Sequence, residues 1–325
     1  MLSGDLNLIE NAEWTRAQLM QFADVRPRRA HERVLKVMVS MDRVVTLDPC
    51  AVLNLVAHAD RIAKMNRVRI RGNSPPPHTQ AYQVLREARF HEYMKEAYKR
   101  RPPSLPSSLA IRSGDSRRKL DPTSWLPLFS FLKDNAGLSD SQVEVIYTAF
   151  GEAIENVRQH AYRTGVFRNW YALALHPEEG PSRAVIVDLG VGIPASVRRT
   201  RLDRYFSAVA GAIRSVLNAL GLIEDVIDEG VFDRLRGSDT FCVVLATTGE
   251  RTETAEPQRG TGLNTLRRTV VDSSVGRLHV LSDRAGVTWN HGSDQPEYQA
   301  FSPLLGTTLC LELEPPSEDD NARRR

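Results

Sequence analysis

Cysteine is scarce in this sequence, and long apolar runs are absent from it. Only three cysteines occur among 325 residues, and none forms a Cys-x-x-Cys pair, so neither a zinc site nor a disulfide framework is indicated. No stretch approaches the roughly 20 apolar residues of a membrane span. Polar residues also interrupt the N-terminus where the apolar core of a signal peptide would lie. These absences predict a cytoplasmic protein that makes no membrane contact.

A large net charge is also missing. The 43 Lys and Arg residues nearly balance the 40 Asp and Glu residues, which leaves a formal net charge of +3 and an isoelectric point near 8.8. This balance is too mild to indicate a nucleic-acid partner, and local basic clusters such as residues 198–201 are typical of solvated faces. The 41% hydrophobic and 26% charged residues are typical of a globular protein, and the length suits about two domains.

The chain divides at a stretch rich in Pro, Ser and Arg, residues 101–121, which predicts a linker. Before it, we predict a helical extension over 1–31 and a small α/β domain over 32–100. After it, we predict a larger α/β domain over 122–315 and a disordered tail over 316–325. The expected fold class is therefore α/β of the α+β kind.

The segment before the linker combines β-branched runs with helical patterns. Asp48 followed by Pro49 is typical of a helix start, and we predict that this helix continues to about Met65. The further elements predicted here are strands at 34–39, 44–47 and 68–70 and a helix at 80–98.

A long helix is predicted from residue 139 or 140 to about 162, because apolar residues recur on one stripe of it. Glu152, Asn156 and His160 are spaced four residues apart and therefore share another face. The Asn carbonyl can ligate Mg²⁺, and the Glu carboxylate can orient or deprotonate an attacking nucleophile. A solvated polar face opposite the apolar stripe would have the same spacing, so the helix alone leaves both interpretations open.

The stretch from Val185 to Pro194 contains an apolar β-branched run, then Asp188, and then two glycines, Gly190 and Gly192. It predicts a buried strand, a carboxylate fixed at the strand end, a glycine turn that lets a ligand approach the backbone, and a helix start. A purely structural turn is one alternative. The Rossmann fingerprint G-x-G-x-x-A is another, but no second strand ending in an acid follows about 20 residues later.

Arg259-Gly-Thr-Gly-Leu263 precedes another predicted helix. Glycines at a helix N-terminus leave backbone N–H groups accessible to an anion, and a phosphate fits such a site. A capping turn without a ligand is the alternative. The Walker sequence G-x-x-x-x-G-K-[ST] does not occur, so phosphate binding here would not be of the P-loop kind.

In this order, the three stretches resemble the nucleotide-binding domain of the GHKL superfamily, which includes gyrase, Hsp90, histidine kinases and MutL. The matching segments are 152–161 for the N box, 188–194 and 259–263 for the two glycine boxes, and 306–313 for the last strand. The resemblance spans about 140–315. It implies a Bergerat-type α/β sandwich, in which helices cover one face of a mixed sheet.

The resemblance implies Mg²⁺–ATP as the ligand. Asn156 would hold the Mg²⁺ and Glu152 would be the catalytic base, whereas Asp188 would accept a hydrogen bond from the adenine amino group. Residues 198–258 would form the ATP lid. The other residues implied for the nucleotide site are Gly190 and Gly192 near the base, Gly260, Thr261, Gly262 and Leu263 along the phosphates, and Thr307 at the adenine end.

The chain departs from a sensor histidine kinase before this domain. Such kinases carry the phosphorylated histidine on a helix pair, and residues 122–140 are too short for that pair. The N-terminal domain resembles a STAS domain more weakly. Its loop Asp48-Pro-Cys-Ala51 has no hydroxyl where anti-sigma-antagonist STAS domains carry a phosphorylatable Ser or Thr. A plain α/β interaction module describes the N-terminal domain equally well.

The sequence thus predicts an Mg²⁺–ATP-binding regulatory protein that acts on a protein partner. Its first interpretation is ATP hydrolysis or ATP-gated partner switching. The second is a serine/threonine kinase of the anti-sigma-factor type that phosphorylates a partner protein. The third is a non-catalytic, nucleotide-responsive binding module. Formation of a homodimer is left open.

Overall fold

The computed structural model shows an α+β protein in which parallel and antiparallel strand pairs occur in separate sheets. Among the residues described, no helix is long and apolar enough to cross a lipid bilayer. The residues that the structure describes are 2–23, 36–66, 68–97, 111–118, 126–162, 167–176, 181–199, 237–248, 262–272, 276–293 and 295–313.

Strands and helices alternate irregularly along the chain. The strands are β1 (Ser3–Leu6), β2 (Lys36–Val39), β3 (Arg43–Leu47), β4 (Arg69–Gly72), β5 (Arg112–Asp115), β6 (Asn169–Leu175), β7 (Ser182–Asp188), β8 (Gly276–Asn290) and β9 (Glu297–Leu313). The helices are α1 (Ala12–Ala23), α2 (Pro49–Asn66), α3 (Gln80–Glu87), α4 (Phe90–Ala97), α5 (Leu126–Ala136), α6 (Asp140–Asn156), α7 (Gly192–Arg199), α8 (Asp239–Thr248) and α9 (Gly262–Asp272). A π-helical turn, Val157–Ala161, continues α6.

Among the described residues, the larger sheet has five strands in the order β5-β6-β7-β9-β8, and each neighbouring pair is antiparallel. The pairing differs from the mixed sheet that the resemblance implies for this domain. Two of the pairs, β6–β7 and β8–β9, follow each other in sequence, and a short connection between consecutive strands requires antiparallel pairing. Parallel pairs occur in the N-terminal region, where β1 pairs with β3 and β2 pairs with β4.

Helices and strands cover both faces of this sheet. On one face, Ile186 of β7 belongs to a core shared with α5, α6, α8 and α9. On the other face, Val185 and Val187 belong to a core shared with α2 and the N-terminal strands. Burial of both faces is consistent with the continuous apolar run at residues 184–187 of β7. The resemblance implies helices on one face, and the N-terminal region covers the second one.

The start of α2 confirms a prediction made from the sequence. The helix begins at Pro49, and Asp48 Oδ1 accepts a hydrogen bond from the Ala51 N–H. Asp48 Oδ2 accepts a second one from the Leu8 N–H at 2.9 Å, which connects the helix start to the segment after β1. Burial raises the pKa of Asp48 to about 6.

Other predictions about the N-terminal region are corrected. The segment predicted to be a helical extension contains helix α1, but it also contains β1, which forms a parallel pair with β3. The segment predicted to be a linker contains β5, which joins the larger sheet beside β6. The helix predicted at 80–98 is two helices, α3 and α4, because the backbone turns at Arg89, whose φ is +51°.

The helix α6 begins where the sequence predicts. The Ser139 hydroxyl accepts a hydrogen bond from the Gln142 N–H, and the Gln142 side chain accepts one from the Ser139 N–H, which is a capping box. The α-helical part ends at Asn156, before the predicted end, and the chain continues as the π turn. Asn156 therefore lies where the helical geometry changes.

Candidate functional site

A cavity of about 670 Å³ opens at the carboxyl end of β7, a volume typical of small-molecule sites. Its lining comes from α6, the π turn, β7, α7, α8, α9 and β9. The residues predicted for a nucleotide site that line this cavity are Asn156, Asp188, Gly192, Leu263 and Thr307. Segments that are distant in sequence thus meet at one place.

Two further predicted residues lie next to the cavity. Gly190 is not one of the lining residues described, but its N–H donates a hydrogen bond to Oδ1 of Asp188, which is one of them. Glu152 lies on α6 one turn before Asn156 and is partly buried, but it is not one of the lining residues described.

Some of the predicted phosphate-binding residues are outside the part of the chain that the structure describes. Gly262 begins α9, whereas Gly260 and Thr261 lie outside the described residues. Of the predicted lid, 198–258, the structure describes the end of α7 and the segment that contains α8. The predicted tail, 316–325, also lies outside the described residues.

The carboxyl group of Asp188 is buried, with 5% of the residue exposed. Its Oδ1 accepts one hydrogen bond, from the Gly190 N–H at 2.7 Å. No Lys, Arg or His of the described residues forms an ion pair with it. Burial therefore raises the pKa of Asp188 to about 7, although the bond from Gly190 acts in the opposite direction. An additional hydrogen-bond donor in the cavity would favour the charged form.

Two glycines allow the backbone to pass close to Asp188. A Cβ on Gly190 would lie 2.4 Å from the Ala161 carbonyl oxygen, well inside normal contact distance. Gly306 has a φ of +83°, and a Cβ there would lie 1.9 Å from the Asp188 carbonyl oxygen. Only glycine fits these positions without movement of the backbone. Gly306 precedes the cavity-lining Thr307, and its role could not be recognised from its strand-like surroundings in the sequence.

The π turn and the tyrosine after it hold the glycine turn in place. The Ala161 carbonyl accepts a hydrogen bond from the Val191 N–H at 2.8 Å. The Tyr162 hydroxyl accepts one from the Leu189 N–H at 2.9 Å and donates one to the Asn169 carbonyl at 2.7 Å. Burial raises the pKa of Tyr162, so this hydroxyl stays a donor. π-Helical turns often occur at functional sites, and this one was not predicted from the sequence.

A pair of hydroxyl groups connects β8, β9 and α7 at the cavity. Ser282 Oγ donates to the Gly306 carbonyl at 3.0 Å, accepts from the Ile193 N–H at 2.9 Å and lies 3.1 Å from Thr307 Oγ1. Because the single Ser282 proton goes to the carbonyl, Thr307 is the donor within the pair. The acceptor lone pairs of Thr307 therefore remain for a ligand. Sequence reasoning missed Ser282, which follows a run predicted to end at Leu281.

Other features of the lining attract anions. Arg199, the last residue of α7, is exposed at the cavity, and Leu263 belongs to the first turn of α9. A helix N-terminus carries about half a positive charge and N–H groups without helical partners. The Asn156 amide is partly buried and offers both a donor and an acceptor. The cavity thus combines one buried acid with groups that suit an anionic ligand.

The donor set fits a metal ion that arrives with its ligand. In the described part of the chain, no group of three His, Cys, Asp or Glu side chains could hold a metal ion. Mg²⁺ is commonly bound by one or two protein oxygens together with substrate phosphates and water. Asn156 lines the cavity, and its side chain carries an oxygen of the required kind.

Comparisons with known proteins give no further guide to this site. No protein-family model matches the chain, and no curated protein gives a significant match to it. The resemblance to the GHKL superfamily therefore depends on the motifs and on their arrangement around the cavity.

Proposed function

We propose that this protein binds Mg²⁺–ATP in the cavity at the end of β7 and uses the bound nucleotide to regulate a protein partner in the cytoplasm. The proposed fold of the C-terminal part is the Bergerat type of the histidine kinase-like ATPases. The observation that carries the proposal is the meeting of Asn156, Asp188, Gly192, Leu263 and Thr307 at one cavity. The sequence motifs that select these residues contain no information on the distances between them in the folded protein.

Asp188 is the proposed adenine-binding residue. A buried carboxylate without a cationic partner is costly, and a ligand amino group would lower that cost by donating a hydrogen bond. Adenine has such an amino group, whereas guanine has a carbonyl oxygen in the equivalent position and would leave the carboxylate unpaired. Discrimination of this kind against a ligand that lacks a required donor can be large. Thr307 pairs with Asp188 in the strand register and supports the same end of the cavity.

Asn156, Arg199 and the first turn of α9 are proposed to receive the phosphates. Asn156 would contribute an oxygen to the Mg²⁺ that accompanies them, and the metal would neutralise part of their charge. Arg199 would pair with a phosphate oxygen. The N–H groups at the start of α9 would add hydrogen bonds.

The fate of the nucleotide depends on Glu152. ATP hydrolysis and phosphoryl transfer to a partner Ser or Thr both require a group that orients the nucleophile, and Glu152 is the proposed base for either reaction. The position of Glu152 outside the cavity lining favours a second function, a non-catalytic module that responds to nucleotide binding. Catalysis would require the γ-phosphate to lie within reach of Glu152.

Incubation of the full chain with γ-labelled ATP and Mg²⁺ tests the proposal. Binding of ATP in titration calorimetry is expected, with GTP at least about tenfold weaker because the Asp188 contact is lost. Free labelled phosphate would identify an ATPase, label on an added or co-purified partner would identify a kinase, and binding without either would identify the non-catalytic module. Absence of ATP binding at millimolar concentration, or equal binding of GTP, would overturn the proposal. Asp188→Asn should lose the preference for ATP over GTP, whereas Asp134→Asn, which changes an exposed carboxylate on α5, should keep it.

A further inference from the structure

A second cavity, of about 510 Å³, lies beside β4 in the N-terminal region. Its apolar lining comes from β2, the turn after it, α2, the residue before β4 and α4. The buried apolar residues that line it are Val39, Met41, Leu55, Ala59, Val68 and Phe90. This volume and an apolar lining are typical of pockets that bind small organic molecules.

Positive charges surround this cavity. Arg69 and Arg71 on β4 and Lys95 on α4 are exposed lining residues. Within the described ranges, none of the three forms an ion pair with a carboxylate. The nearby carboxylate of Glu92 is paired with Arg89. An anionic group at this position would therefore meet cations that no described residue neutralises.

The position of β4 explains why both kinds of residue reach one space. Among the described strands, β4 pairs with β2, and residues of both strands line the cavity. Arg69 and Arg71 project to one face of the strand and Ile70 to the opposite face. All three line the cavity, so the space extends around the strand edge.

Helix α4 bounds the cavity and limits what can enter it. Phe90, His91, Met94 and Lys95 of this helix line the space next to β4. A compact ligand with an apolar body needs no displacement of the helix.

We propose that this cavity binds a small amphipathic anion, an acyl or aryl chain that ends in a carboxylate or phosphate. The chain would lie on the apolar lining, and the head group would pair with Arg69 and Arg71, whose planar guanidinium groups match both kinds of anion. The proposal does not depend on ATP binding. It assigns to the N-terminal region a ligand of its own.

Titration calorimetry of the full chain with decanoate, below its micelle concentration, tests this proposal. Decanoate is expected to bind, and decanol and decylamine are expected to bind at least about tenfold more weakly because neither offers an anion to the arginines. Decyl phosphate in a parallel titration distinguishes a carboxylate ligand from a phosphate ligand. Binding of neither anion, or equal binding of decanol, would overturn the proposal.

Variants locate the binding. The double variant Arg69→Gln/Arg71→Gln should weaken binding about tenfold or more, whereas Arg43→Gln, an exposed arginine of β3 outside the cavity lining, should not. Ala59→Leu adds side-chain volume at the apolar lining and should also weaken binding. If the double variant is folded by circular dichroism and binds decanoate as tightly as the wild type, the site is not at this cavity. Retention of binding in a folded Ala59→Leu variant would contradict the proposal in the same way.

Discussion

Replacement of Asp188 by Asn is expected to stabilise the nucleotide-free protein at neutral pH. Asn has nearly the same shape as Asp, and its side-chain carbonyl can accept the hydrogen bond that Gly190 donates at 2.7 Å. It carries no charge, so the penalty for burying a carboxylate disappears. A gain in stability on replacement is typical of a residue that serves ligand binding at a cost to the stability of the folded protein.

The magnitude follows from the pKa of Asp188, which burial raises to about 7 from an ordinary value of 3.8. One pKa unit corresponds to about 1.4 kcal/mol, so the charged carboxylate destabilises the folded protein by up to roughly 4 kcal/mol. The folded protein binds the proton more tightly than the unfolded chain does. Stability is therefore highest below the unfolded pKa near 4, and it falls as the pH rises from about 4 to 7.

Urea unfolding of wild type and Asp188→Asn without nucleotide, at pH 5 and pH 8, measures this effect. The advantage of the variant in free energy of unfolding should grow by roughly 3 kcal/mol between the two pH values. Asp134→Asn, at an exposed position, should show no comparable pH dependence. An advantage that is the same at both pH values, or a variant less stable than the wild type at pH 8, would refute the reasoning.

Three further predictions concern a glycine beside the site, a buried carboxylate of β9 and the proposed metal ligand. Gly306→Ala should lower the free energy of unfolding by about 3 kcal/mol or more, because its Cβ would lie 1.9 Å from the Asp188 carbonyl oxygen. Gly292→Ala, with positive φ but open space, should cost only about 1 kcal/mol. Burial acts to raise the pKa of Glu312, but its partners His279 and Arg183 outweigh burial and lower this pKa to about 2. Stability from this group is present above pH 4 and lost toward pH 2, and Glu312→Gln should remove about 3 kcal/mol of that acid dependence. Asn156→Ala should weaken ATP binding about tenfold in Mg²⁺ but not in EDTA, and equal loss in both would contradict the metal role.

The sequence predicts best those elements whose signals are local. The capping box at Ser139, the Asp48–Pro49 helix start and the β-branched run of β7 each depend on residues within one turn or strand. The structure has each of them where the sequence places it. A continuous apolar strand also indicates burial on both faces, but the sequence does not say what covers the second face.

The full length of the β8–β9 hairpin could not be predicted from local signals in the sequence. The sequence predicts strands only at 277–281 and 306–313, whereas the strands continue through bulges near Asp283. Buried Arg16 of α1 donates hydrogen bonds to the Asp283 and Ala285 carbonyls of this irregular region. The region is held by a helix more than 260 positions away in the chain, and no local pattern contains that information.

The candidate site shows the same difference between local signals, which the sequence contains, and tertiary contacts, which it does not. The residue types at Asn156, Asp188 and Thr307 follow from motifs, and the structure adds that they line one cavity. The supports of the site, Tyr162 and Ser282, act through hydrogen bonds to backbone atoms of other elements, and these bonds depend on tertiary packing. The nucleotide and metal roles of the motif residues stay predictions.

The central claim is that the Asp188 carboxylate recognises the adenine amino group, and one comparison of affinities tests it most directly. Binding of ATP is compared with binding of purine riboside triphosphate, which lacks that amino group, in the wild type and in Asp188→Asn. The wild type should bind ATP at least about tenfold more tightly than the analogue, and the variant should lose this preference. Equal affinity of the wild type for both nucleotides would contradict the claim.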